Sequence, residues 1–339
     1  MVTIKVIGTD PAGMPWREGP VAPRMTVRNI GVALNTPTDS NVVDETVAAA
    51  RAAGDVGLRS VWLGQRFDYD AITLAGFIGR EVPDLTVGTS AVPIFGRHPL
   101  LIAGQAQTVQ AATHGRFELG VALGTKLFTE GAFGIPFDRP IARLREFLTV
   151  TRDLVTNGTS DHAGELITAR PPIDTTVPGA GAQLPLLVAA MGPQALRVSG
   201  ELADGILPFL AGPRVLAEHI VPAVTAAAAD AGRDRPRVIA FVPAVVTDNR
   251  GAGRESAEAA MGFYDQFPSY RRVIELEGAD HPADLALIGS AAEIEAGVER
   301  YFDAGATEVV LTQTNLLGEK AQLDTWSAAG QLAQSTRHW

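Results

Sequence analysis

The chain has 339 residues and a mass of 35.6 kDa, with 46% hydrophobic and 19% charged residues, enough for a sizeable core in two average domains or one large α/β barrel. It has no cysteine, which excludes a disulfide framework, thiolate metal sites and a cysteine nucleophile. A net charge of −10, a pI near 5.1 and only 6% aromatic residues argue against nucleic acid or an anionic membrane as the main partner, while leaving room for a local cationic pocket.

Residues 1–26 mix Pro, Gly and charged residues without sustained periodicity and read as an irregular N-terminal extension; residues 27–339 read as one domain. The start, MVTIKVIGTDPAG, lacks the basic and apolar regions of a signal peptide. Runs such as PLLVAAM are too short to span a bilayer, so a cytoplasmic protein is expected. An alternating rhythm follows. NIGVALN is a strand and Val42–Gly57 a helix; RSVWLG is the next strand and Tyr69–Gly79 its helix. LTVGTSAVPI precedes the helical LLIAGQAQTVQAAT, and RFELGVAL precedes, after a loop, the helix ARLREFLTVTRDLV. LPLLVAAM, ADGILPFL, RVIAFVPAVV and EVVLTQT are four more strands, with AEHIVPAVTAAAADAG and AEIEAGVERYFDAG helical between them.

Eight short, nearly continuous apolar strands alternating with helices predict parallel pairing with both faces covered, and a (β/α)8 barrel rather than a doubly wound sheet. Two longer stretches, 158–183 and 262–289, are insertions assigned to the C-terminal face. The first is expected to cover the mouth; the second, with Tyr264, Phe267 and Tyr270, is expected to be helical and to shape a pocket or anchor itself to the barrel.

The six histidines are scattered without metal-ligand spacing, so no metal site is assigned. A GxSxG elbow, a P-loop and a Rossmann fingerprint are also missing. Barrel chemistry sits at the C-terminal ends of strands, and three ends stand out. GTSAVPIFGRHP closes a buried strand on small residues. GVALGTKLFTEGAFGIPFDRP opens a strand into a loop at Gly124, Thr125 and Lys126. AAMGPQALRVSGELADG is a strand, a Gly-Pro turn and a helix, whose free N–H groups suit an anion.

With VWLGQRFDYDAITLAG and RFELGVALGT, these segments resemble the bacterial luciferase-like superfamily, and within it the oxidoreductases that use the deazaflavin coenzyme F420, over Arg28 to Thr314. The resemblance implies a non-prolyl cis bond between Ser90 and Ala91, with the cofactor ring resting against Thr89, Ser90 and Ala91. It places the anionic cofactor tail at Ala190, Met191, Gly192, Gln194 and Ala195, and the ring or ribityl region at Gly124 and Thr125. Gln65 and Arg66 stand where some relatives carry an Asp-His pair, Thr125 where the sugar-phosphate dehydrogenase branch has an acid, and Lys126 where close relatives tend to have His. These departures count against the sugar-phosphate reaction and leave the proton donor open among His98, Lys126 and Glu130. Arg66 is expected to clamp an anion or carbonyl, and His98 is alternatively a helix-start residue with a structural hydrogen bond. The implied reaction is hydride transfer between the deazaflavin C5 and a small organic substrate by a homodimeric enzyme. An FMN-dependent monooxygenase and a non-catalytic flavin-binding barrel are the alternatives.

Overall fold

The computed structural model describes residues 28–35, 40–181 and 183–335; the expected extension, 1–26, lies outside them. Eight strands close a parallel barrel: β1 (Ile30–Ala33), β2 (Ser60–Leu63), β3 (Thr86–Thr89), β4 (Phe117–Ala122), β5 (Leu186–Ala189), β6 (Gly205–Ile206), β7 (Arg237–Val246) and β8 (Glu308–Thr312). Each pairs with the next, and β8 closes the ring on β1 with Val309 beside Ile30. Eight helices surround it: α1 (Val42–Asp55), α2 (Ala71–Glu81), α3 (Pro99–Ala112), α4 (Pro140–Asn157), α5 (Pro193–Leu202), α6 (Val221–Asp230), α7 (Ala291–Asp303) and α8 (Glu319–Gln334).

The helices start where the side chains can cap them. Asn41 Oδ1 accepts the Val43 and Asp44 N–H groups at 3.0 and 3.3 Å, Asp70 accepts from Thr73 at 2.9 Å, and Ser290 with Glu293 forms a capping box. On α1 the buried Thr46, Val47, Ala50 and Ala53 recur at helical spacing, giving one face to the barrel. Expected strand β6 is cut to two residues because Pro208 has no N–H to donate. The stretch after Thr314, given no element by its sequence pattern, forms α8, and the loop after β4 contains a short helix, Lys126–Gly131.

Inside the barrel Trp62, Leu187, Leu207, Ile239, Phe241 and Val310 form one apolar cluster, which Ala91 and Phe209 join from the C-terminal side. Beneath it lies a buried polar network. Arg237 Nη1 donates to Glu118 at 2.6 Å and Nη2 to Glu308 at 2.9 Å. Ser60 donates to Glu308 at 2.5 Å, and the Trp62 indole N–H donates to Ser60 at 3.0 Å and to Glu308 at 3.2 Å. Burial raises the Glu308 pKa, helped by the charge of Glu118 and opposed by the hydrogen bond from Ser60 and the charge of Arg237. Burial also pulls on Arg237, but its two carboxylates outweigh that and raise it.

The two insertions go to different places. The first insertion, 158–183, does not cover the mouth: none of its described residues lines the central cavity. They form a small hairpin, His162–Ala163 with Thr168–Ala169, held along the outside of α3 and α4. Glu146 of α4 accepts the N–H groups of Glu165, Leu166 and Ile167, while Gln107 and Gln110 of α3 donate to the carbonyls of Thr175 and Gln183. The second insertion, after β7, forms a 3-10 turn (Gly262–Gln266) and a helix (Pro268–Glu277), and it does sit over the C-terminal face.

Candidate active site

A cavity of about 1370 Å³ opens at the C-terminal ends of the strands. The end of every strand or the loop that follows it contributes, from Ala33 and Asn35 after β1 to Gln313 and Asn315 after β8. A smaller space of about 500 Å³ lies at the other end of the barrel, among Arg51, Pro83 and Gln334, remote from every candidate residue. Chemistry belongs to the larger one, because only there do several strand ends converge.

The Ser90–Ala91 peptide bond is cis, and both residues line the cavity. Thr89, one residue earlier, is fully buried and does not. Its hydroxyl donates to the Gly120 carbonyl and accepts from the Gly120 N–H, each at 2.9 Å. Only glycine fits at 120, since an added Cβ would lie 1.8 Å from the Thr89 carbonyl oxygen. Thr89 and Gly120 therefore fix the backbone that presents Ser90 and Ala91.

Gln65 and Arg66 line the cavity at the end of β2. All the polar atoms of the Gln65 side chain are engaged. Its Nε2 donates to the carbonyls of Arg66 and Tyr69 at 2.7 and 2.6 Å, and its Oε1 accepts from Ala71 N–H and Arg97, both at 3.1 Å. Gln65 is thus the brace of the β2–α2 loop. Arg66 donates twice to Asp68, at 2.9 and 3.0 Å, and that bonding lowers the Asp68 pKa.

Gly124, Thr125 and Lys126 line the wall after β4. Gly124 has φ +74°, a conformation that favours glycine, and Thr125 caps the short helix by accepting from Phe128 N–H at 3.3 Å. The segment Ala190, Met191, Gly192, Gln194 and Ala195 forms the wall at the start of α5. Gly192 is the N-cap with no side-chain cap bond, and a Cβ there would meet nothing within 4 Å. Among the described residues no group accepts from the Gln194 and Ala195 N–H groups, so the helix start is open toward the cavity.

Besides Thr89, two candidates lie outside the cavity lining. His98 is the N-cap of α3: Nδ1 accepts from Leu100 N–H at 3.2 Å, and Nε2 meets the Thr168 carbonyl at 3.1 Å. One ring nitrogen thus caps α3 and the other ties the first insertion to it. Glu130 faces Lys126 at 3.8 Å and accepts from Phe137 N–H at 3.1 Å.

Among the described residues no Asp, Glu or His lines the cavity, and no group of three or more such residues is placed to hold a metal. The titratable side chains that line it are Arg66, Lys126, Tyr69, Tyr264 and Tyr270. Tyr69 donates to the Gly64 carbonyl at 2.7 Å. Tyr264 and Tyr270 meet edge to face, 4.9 Å between ring centres, and both pack on Phe209. Burial raises both pKa values, Tyr264 adding to the effect on Tyr270, so both are neutral phenols. Phe209, Phe241, Gln313 and Asn315 were not singled out from sequence; the signal was their position at strand ends, which applies equally to all eight strands.

Residues 25–323 match the family model described as luciferase-like monooxygenase. The chain belongs to the luciferase-like monooxygenase family. As a luciferase-like oxidoreductase, it is 27% identical over 237 residues to a protein of Mycobacterium tuberculosis (strain ATCC 25618 / H37Rv) that carries the provisional name coenzyme F420-dependent oxidoreductase; the match covers 65% of this chain and 67% of that one. Its fold is similar to that of an F420-dependent secondary alcohol dehydrogenase in complex with an F420-acetone adduct, with a TM-score of 0.76, 17% identity, and coverage of 91% and 99% of the two chains. It is also similar to the FMN-bound oxygenating constituent of 3,6-diketocamphane monooxygenase from Pseudomonas putida, with a TM-score of 0.72, 15% identity, and coverage of 91% and 98%. Among the described residues no helix is long and apolar enough to cross a membrane.

Proposed function

We propose that this luciferase-like chain is a coenzyme F420-dependent oxidoreductase that interconverts a carbonyl compound and an alcohol. The observation that carries the reading is one cavity with two complementary walls. One is the small-walled Ser90–Ala91 backbone, flat enough for a planar ring. The other is the open start of α5, where Gly192 leaves space and two N–H groups are free for an anion. The name of the Mycobacterium tuberculosis relative supports the choice of cofactor, and the likeness to the F420-dependent secondary alcohol dehydrogenase supports both cofactor and substrate class.

The residues present fit such a group. Ala190 to Ala195 would hold its phosphate, Gly124 and Thr125 its ribityl region, and Ser90 with Ala91 one face of its ring. When bound, a deazaflavin supplies a hydride donor or acceptor at C5. The chain's own residues then have two tasks. Leu207, Phe209 and Phe241 exclude water from the cavity floor. Tyr264 and Tyr270 carry hydroxyls with no hydrogen bond to any described residue, and their neutral state lets them donate a hydrogen bond to a substrate oxygen and, in the reducing direction, the proton that this oxygen gains.

FMN is the second reading, because the FMN-bound monooxygenase shares the fold and also carries a planar ring and a phosphate. Titration of the purified chain with F420 and with FMN, followed by tryptophan fluorescence, separates the two. Trp62 packs in the cluster that Ala91 joins and reports on ring binding there. Micromolar or tighter affinity for F420 with weaker binding of FMN is the expected result. The opposite preference would overturn the deazaflavin assignment.

A further inference from the structure

We propose that the substrate is a carbonyl or alcohol compound with a long apolar body, and that this body lies on an aromatic track running from solvent into the cavity. The proposal rests on the hydride-transfer reading of the same site.

The track is built from loops that follow three different strands. Phe67 comes after β2, Phe128 and Phe133 after β4, and Phe263 after β7. All four are between 40% and 70% exposed, which for large aromatic side chains clustered at one place calls for an explanation. They are in ring contact with one another. Phe67 meets Phe128 and Phe133 at 5.9 Å each, and Phe128 stacks on Phe263 at 6.3 Å. Phe263 then meets Tyr264 at 6.0 Å, and Tyr264 meets Tyr270 at 4.9 Å. Tyr264 and Tyr270 already line the cavity, so a series of rings without a break leads from open surface to the groups that face the substrate oxygen.

The occupant follows from this continuity and from size. Four exposed rings fall far short of the roughly 20–30 residues that each side of a stable protein interface contributes. Arg66 and Lys126, beside the rings in sequence, also line the mouth, so a protein seated on this patch would obstruct the cavity. A flexible hydrocarbon chain has neither problem. Its head enters a cavity where, among the described residues, no carboxylate repels or competes, and its tail covers the rings. Both faces of the track are not closed over it, so each methylene gains less than the roughly fourfold that complete burial gives; about twofold is expected.

The test uses the purified full chain with reduced F420 and a homologous series from 2-butanone to 2-dodecanone. Affinity is measured calorimetrically and kcat/KM by loss of reduced cofactor. Both are expected to improve about twofold per methylene, and the slope should flatten in the Phe128→Ser, Phe263→Ser double variant. Ile173→Ser, an exposed apolar residue in the first insertion, should leave the slope intact. If F420 binds and ketones bind or react with no dependence on chain length, the apolar-substrate proposal is wrong while the hydride-transfer reading stands. If F420 itself does not bind, the reading beneath it fails. A wild-type dimer that the double variant dissociates in sedimentation, together with a flat slope, would show that a second copy covers the rings and would also overturn the proposal.

Discussion

At the N-terminal end of the barrel, Arg237 holds two buried carboxylates, Glu118 and Glu308, under Trp62; at the C-terminal end, no carboxylate among the described residues lines a cavity large enough for a cofactor and a substrate. Both ends are surrounded by the same eight strands, so the difference is one of side chains. Charge at the closed end is matched by countercharge, because the fold cannot dispense with either partner once water is excluded. The open end keeps backbone N–H groups, amides and neutral phenols, which interact with a ligand without needing a fixed countercharge, and its two cations, Arg66 and Lys126, face acids outside the lining, Asp68 and Glu130. Holding the fold and performing chemistry are thus separated along the barrel axis, and substitutions at either end test that separation.

The largest effect is expected at the closed end. Arg237→Ala leaves Glu118 and Glu308 facing each other in a buried site. A loss of about 3 kcal/mol is expected, the low end for a broken buried pair, because the Arg237 side chain is about one third exposed (34%). The loss should depend on pH. Glu308 has a raised pKa in the folded state, so the stability linked to it is fully present below the ordinary carboxylate value and is lost as pH rises through the raised one. Removing Arg237 takes away an opposing influence and pushes the folded pKa further up. Urea denaturation should therefore show a smaller deficit at about pH 5 than at about pH 8. An equal deficit at both would mean that Glu308 does not carry the cost.

The barrel itself was legible because its signals are local and repeated. β7 is a ten-residue strand, RVIAFVPAVV, apolar after its first residue, and its predicted and observed bounds coincide. The sharp ends at Ser90–Ala91 and Gly192 were legible because small residues and a Gly-Pro turn break an apolar pattern. What could not be read depends on contacts between distant segments. The sequence offers His98 as a proton donor or as a helix-start residue with a structural hydrogen bond; the second holds, and what decides it is the contact with Thr168, seventy residues on. The sequence of the first insertion suggests the mouth because nothing local reveals that Glu146 accepts three of its N–H groups. The aromatic track is spread over loops after β2, β4 and β7, and no window along the chain contains it.

An intermediate effect is expected from Gly192→Ala. The backbone there, φ −77° and ψ 146°, is open to alanine, and a Cβ meets no atom within 4 Å. Alanine is a poorer N-cap than glycine but has less freedom to lose on folding, so stability should change by less than about 1 kcal/mol. Cofactor affinity should fall by roughly tenfold, about 1.4 kcal/mol, because the methyl group occupies the space through which an anion reaches the Gln194 and Ala195 N–H groups. Calorimetric titration with F420 measures it. Unchanged affinity would remove the start of α5 from the binding site.

The smallest effect is expected at Lys126, where the comparison is most exposed to refutation. Its pairing with Glu130 is one helical turn long, 3.8 Å apart, with 71% and 45% of the two side chains exposed. Such a pair contributes at most about 0.5 kcal/mol, so Lys126→Ala should melt with the parent. The ammonium still lies at the mouth, and its field reaches an approaching anion over a Debye length of about 8–10 Å. That predicts a change in kcat/KM of less than about threefold, confined to anionic substrates and erased by added salt. A hundredfold fall in kcat that salt does not alter would instead mean that Lys126 moves the proton. The open end would then depend on a fixed charge after all, and Tyr264 and Tyr270 would lose their role as proton source to a side chain of the loop after β4.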